Sequence, residues 1–187
     1  GSIVNKLSRR DFIASTGIGL TCWVSGVGVL LSPQQAQAAA IPLETLTDTQ
    51  ATTLGALGNA LVPGARNAGL VQYVDNQLGV DNTLLILKYL GVDNAAMPGF
   101  YRTALDSAYG HCQNLFQTTP LKLTAAQAHR WAGSIAGGAD SSWRGPPAGF
   151  FFFVVRADAC DVVFGSRQGT EDIGAPFMAH IEPTEPW

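Results

Sequence analysis

Charge is what this sequence has least of. Lys, Arg, Asp and Glu make up 13% of its 187 residues, about half the usual share of a soluble domain. With 11 basic against 14 acidic residues, it has no basic excess to neutralise a phosphate backbone. That excludes a charge-driven nucleic-acid binder. Little charge combined with 47% hydrophobic residues also excludes a disordered chain. Metal ligands are scarce: there are three histidines, His111, His129 and His180, and three cysteines. No histidine has a His or carboxylate at the i, i+4 spacing of a zinc-binding helix. Covalent haem needs C-x-x-C-H, and here His111-Cys112 stands in the reverse order. No P-loop and no G-x-G-x-x-G after a strand occurs, and GSIAGG at 133–138 marks a helix end. The chain is too short for a two-domain flavin or nicotinamide enzyme. No cofactor is therefore expected in this chain.

Acid–base catalysis by side chains alone survives these exclusions, with Asp75, Asp106, His111 and His129 as candidates. Each has a plainer explanation. Asp75 reads as solvated, Asp106 and His111 are five residues apart and do not share a helix face, and His129 beside Arg130 reads as exposed.

What the sequence does have begins at its N-terminus. Ser8, Arg9, Arg10, Asp11, Phe12 and Ile13 form a twin-arginine box, and 12–43 then holds no charged residue. The apolar stretch 12–31 is followed by Ala36, Ala38 and Ala39, an A-x-A cleavage site. This order is that of an export signal, and the paired arginines mark the Tat route, which carries folded proteins to the periplasm. As a helix, 12–31 would reach about 30 Å, just enough to cross a bilayer. Gly17, Gly19, Gly26, Gly28 and several hydroxyl residues dilute its apolarity. Cleavage after Ala38 is the preferred expectation, and a retained N-terminal anchor, with membrane association, is the alternative. The division is then 1–38 as signal helix and 39–187 as one domain.

Cleavage would remove Lys6, Arg9 and Arg10 from 11 basic residues and Asp11 from 14 acidic ones, leaving 8 and 13. Such an acidic surface disfavours nucleic acid and anionic lipid. Cys112 and Cys160 remain, able to pair with each other, pair with a partner, or stay as free buried thiols.

Helical periodicity dominates the rest. Thr47-Asp48 caps a helix carrying Leu54, Leu57 and Leu61, stopped by Val62-Pro63-Gly64. Further helices carry Leu70, Val71, Val74 and Leu78, then 83–90. The next runs from Pro98 through Phe116, another from Thr124 to Gly137-Gly138, and the last spans 148–164. No strand alternation is evident. The expected fold is all-α, about six helices in one compact domain, with an extended irregular tail over 165–187.

Phe150, Phe151, Phe152 and Phe153 are consecutive. Helical residues advance about 100° each, so four of them sweep most of the helix circumference. Either this helix is central, or part of its aromatic surface meets another protein. Phe151 and Phe152 are the interface candidates from this helix. Phe177, His180 and Trp187 are candidates from the tail, which has little core of its own.

Four segments carry a family resemblance: the box at 8–13, LGNALVPGARNAGLVQYVDNQL at 57–78, FFFFVVRADACDVVFG at 150–165, and IGAPFMAHIEPTEPW at 173–187. Together they resemble the gluconate 2-dehydrogenase subunit 3 family, the small (γ) subunits of bacterial FAD-dependent sugar and alcohol dehydrogenases. Residues 166–171, SRQGTE, depart from the Gly-Gly-Asn run of many members. The resemblance implies a non-catalytic small subunit that supplies the Tat signal and stabilises a large GMC-type flavoprotein. FAD would then lie in that partner, with haem c in a cytochrome c third subunit. The other function classes are a stand-alone periplasmic enzyme using a His/carboxylate acid–base pair, and a membrane-anchored structural protein.

Overall fold

The structure is a computed structural model and describes residues 22–24 and 29–165. The twin-arginine motif (Ser8, Arg9, Arg10, Phe12, Ile13) and the tail residues Phe177, His180 and Trp187 lie outside the described residues.

Seven helices follow one another among the described residues: α1 Pro33–Ala38, α2 Asp48–Leu61, α3 Leu70–Leu78, α4 Ile86–Tyr89, α5 Met97–Phe116, α6 Ala125–Ala136 and α7 Ala148–Phe164. Three start with the same device. Ser32, Thr47 and Thr124 each accept the N–H of the residue three positions on, Gln35, Gln50 or Gln127, whose side chain accepts back from the capping N–H. Two orphan donors are satisfied reciprocally at each start. The α2 helix stops where Val62 turns extended ahead of Pro63, and Asn59 accepts the Gly64 N–H at 3.1 Å.

Six of the seven are the expected helices. The segment expected to be helical over 83–90 begins its helix only at Ile86, because Leu85 is extended. The Thr83 hydroxyl and the Gln77 side chain take the N–H groups of Leu85 and Leu84 instead. The seventh helix, α1, falls within the segment assigned to the cleavage site.

A second departure lies just before α1. A signal helix running through 12–31 is corrected where the backbone is described. Cys22–Val24 (β1) pairs antiparallel with Val29–Leu31 (β2), with Trp23 opposite Leu30. Trp and Val favour strands, and Gly26 and Gly28 between them weaken any helix. No helix among the described residues is long and apolar enough to cross a membrane.

The α2 helix lies at the centre, packed against α3, α5, α6 and α7, while α1 packs on α3. One continuous core joins them, with Leu54 and Leu57 of α2, Tyr73 of α3, Leu105 of α5, Trp131 of α6 and Phe151 of α7 all fully buried. Withdrawing each such side chain from water is worth about 1.5–3 kcal/mol. The α7 helix touches five others, α2 through α6. It is as central as its four phenylalanines suggest.

Candidate functional site

The chemistry available to this fold lies in its few buried polar side chains. His111, on α5, is 2% exposed. Its Nδ1 lies 2.8 Å from Asp140 Oδ2 and its Nε2 lies 2.8 Å from Ser134 Oγ. An ionised carboxylate only accepts, so Nδ1 donates to Asp140, while Nε2 is joined to the serine hydroxyl. Asp140 also accepts the Ser142 N–H and hydroxyl. Ser142 first, then His111, hold its carboxyl well below the ordinary range. The hydrogen-bond order is that of a Ser–His–Asp relay, with Ser134 half-buried and the carboxylate end open to solvent. The Asp140 side chain is 39% exposed against 3% for the imidazole, whereas in a working relay the carboxylate is buried and the serine end faces substrate. This arrangement suits a tie between α5, the last turn of α6 and the following loop.

Sequence reasoning places His111 correctly away from Asp106, which instead accepts from Gln50 Nε2 at 3.0 Å. It misses Asp140, which only the fold brings near. His129 is exposed, as expected.

Asp75 corrects the sequence expectation. It is 5% exposed, not solvated. Its Oδ1 accepts the N–H groups of Thr45 and Leu46 at 2.9 and 2.8 Å, and its Oδ2 accepts that of Glu44 at 2.9 Å. From the other side, Arg102 donates through Nε and Nη2 to the Thr45 carbonyl at 2.9 and 2.7 Å. Residues 44–46, between α1 and α2, are thereby clamped between α3 and α5.

Asp158 is fully buried on α7. It accepts the Tyr101 hydroxyl and, at 3.0 Å, the Ile86 N–H that opens α4. Burial pushes its carboxyl up to about 7, against the opposing pull of those two donors. Burial, and then the Asp158 charge, raise Tyr101 well above the usual phenol range. Three helices meet on one carboxyl group.

The phenylalanine run divides by face. Phe151 is fully buried, ringed by Phe100, Tyr101 and Trp143 at centroid distances of 6.2, 5.9 and 6.1 Å. As an interface candidate it is therefore corrected: no partner reaches it in this fold. Phe152 is half-buried, with the Arg156 guanidinium 5.8 Å from its ring centre. The outward-facing residue is Phe153, 41% exposed, and Phe164 is exposed to the same degree. Eleven residues apart, these two fall on one side of α7, with Ala157 and the half-buried Cys160 between them. Cys112 and Cys160 are free thiols, and burial lifts the Cys112 thiol to about 11.

Of the cleavage residues, Ala38 and Ala39 are exposed and Ala36 is 1% exposed. Among the described residues, no three His, Cys, Asp or Glu side chains gather as a metal site would require. Two concavities of about 320 and 380 Å³ share Arg66 and Leu121 in their walls.

Among the described residues, Asp75, Asp158 and the His111–Asp140 pair each join separate elements of the fold. The built features are ties between helices, and the unspent surface is aromatic. Neither a curated protein nor a solved structure matches the chain. A family model described as gluconate 2-dehydrogenase subunit 3 matches residues 48–178, from the first residue of α2 into the tail and thus well over half the sequence. The chain belongs to the gluconate 2-dehydrogenase subunit 3 family.

Proposed function

We propose that this protein is the non-catalytic small subunit of a periplasmic FAD-dependent, GMC-type sugar or alcohol dehydrogenase. The observation that carries this is the family match over 48–178, since a third subunit implies catalytic partner chains. In this proposal the large partner holds FAD and substrate, and a cytochrome c subunit takes electrons onward. This chain stabilises the flavoprotein and exports it by lending its Tat signal. Two observations support the division of labour. The buried polar groups are spent on holding helices together, and the outer face of α7 presents Phe153 and Phe164. Aromatic residues exposed on a rigid helix are enriched at protein interfaces.

The test is a pull-down of the C-terminally tagged chain from the periplasm of its host. A stoichiometric larger chain is expected, with a flavin spectrum that bleaches on adding a sugar or alcohol. A lone colourless monomer would overturn the proposal. Replacing Arg9 and Arg10 by lysine is expected to leave both chains in the cytoplasm.

A further inference from the structure

Residues 36–39 have two competing descriptions. As sequence they are an A-x-A processing site; as structure they are the end of a docked helix. A processing peptidase needs small side chains three residues and one residue before the cut, here Ala36 and Ala38. It must also draw the backbone around the cut into its own cleft, so it acts on chain that is locally open. In the fold the Ala38 side chain is open to solvent, but Ala36 and the backbone around the cut are held. Ala36 is 1% exposed. The N–H of the scissile Ala38–Ala39 bond donates to the Gln35 carbonyl at 2.9 Å, and the Ala36 carbonyl accepts from Ile41 at 3.1 Å.

The helix is also pinned in place. Ser32 and Gln35 cap it reciprocally at 3.0 and 3.1 Å. Its first carbonyl, that of Pro33, lies against Gly69 so closely that a Cβ there would sit 2.1 Å from the oxygen. Gly69 takes φ +88°, which admits glycine far more readily than other residues. Downstream, Asp75 fixes the N–H groups of residues 44–46. Only residues 40–43 lie between the end of the helix cap and that clamp, so the chain has little slack to offer.

We propose that the folded protein withholds its A-x-A site from signal peptidase by docking α1 on α3, so that the N-terminal segment stays attached after export. The consequence for export rests on the Tat reading, since only a protein that folds before crossing presents the site in this form. The shielding itself does not rest on it.

The test uses purified signal peptidase in detergent on the full chain, with a synthetic peptide of residues 20–50 as comparison. The peptide is expected to be cut after Ala38. The folded chain is expected to be cut at less than about one-tenth of that rate and to keep its full mass. Gly69→Ala, which pushes α1 away, should raise the rate towards that of the peptide. Should that variant fail to fold, the double variant Ser32→Ala/Gln35→Ala weakens only the exposed cap. It should speed cutting about fivefold. Equal rates for peptide and folded chain overturn the proposal, as does a peptide that is not cut, or a cap variant cut no faster than the unaltered chain. No translocase enters the assay, so a failed Tat reading leaves its outcome untouched.

Discussion

The carboxylate of Asp75 accepts the Leu46 N–H at 2.8 Å across 29 positions of sequence. Leu46 immediately precedes the cap of α2, so this bond sets where the central helix begins relative to α3. Two further N–H groups share the same carboxylate. A charged acceptor with several backbone donors makes the strong kind of hydrogen bond.

Asp75→Ala should therefore cost about 3 kcal/mol, since it strands three N–H groups that packing partly hides from water. Urea titration followed by far-UV circular dichroism would show it as a lower midpoint. A loss below about 0.5 kcal/mol would mean that water replaces the carboxylate without penalty.

Stability should depend on pH in two opposite ways. Asp158 has its carboxyl raised to about 7 in the fold, so the native state holds its proton more tightly than the unfolded chain. Its contribution is complete below about pH 4 and is lost as pH rises through about 7. The size is on the order of a few kcal/mol. Burial raises Asp161 in the same direction. Asp140 is lowered, so its contribution is present above about pH 4 and lost on further acidification. The urea midpoint should peak near pH 4–5, and Asp158→Asn should flatten the alkaline side.

Two phenylalanines two residues apart should behave oppositely. Phe151→Ala empties a fully buried site and should cost about 3–5 kcal/mol. Phe153→Ser and Phe164→Ser should change thermal stability by less than about 0.5 kcal/mol while weakening recovery of the partner chain. Melting curves beside pull-downs of the three variants separate the roles. Full recovery of partner by a stable Phe153→Ser/Phe164→Ser double variant would remove this face from the interface.

Thiol labelling should separate the cysteines. At pH 8 iodoacetamide should modify Cys160, half-buried on α7, before Cys112, whose thiol is lifted to about 11 and whose Sγ donates to the Thr118 carbonyl. Peptide mapping over time reads the order. Equal rates would mean that the Cys112 region opens as readily as the surface of α7.

The helices were legible where their signals are local. Thr47 with Gln50, and Thr124 with Gln127, each mark a start within four residues, and Pro63-Gly64 marks a stop. Ser32-Pro33-Gln34-Gln35 carries the same start signature, but the A-x-A pattern overlaps it and suggests a processed, unstructured end. The short strands were not legible, because three residues cannot establish an alternation. What the polar residues do was legible least. Asp75, Asp158 and the His111–Asp140 pair bond partners 29 to 72 positions away. No periodicity encodes such a distance, and a carboxylate on a helix face looks solvated until its partners are known. The family segments, by contrast, depend on order along the chain, which sequence displays directly.

The clamp on residues 44–46 bears on how the domain responds to force. Any machine that draws the chain forward by its N-terminal end applies its load through this strap before reaching α2. There the pull meets three N–H bonds to Asp75 and two Arg102 donors on the Thr45 carbonyl. Bonds loaded side by side share tension instead of breaking one at a time. The strap acts as a tow point, anchored in the core through Leu46, by which the domain can be hauled while still folded.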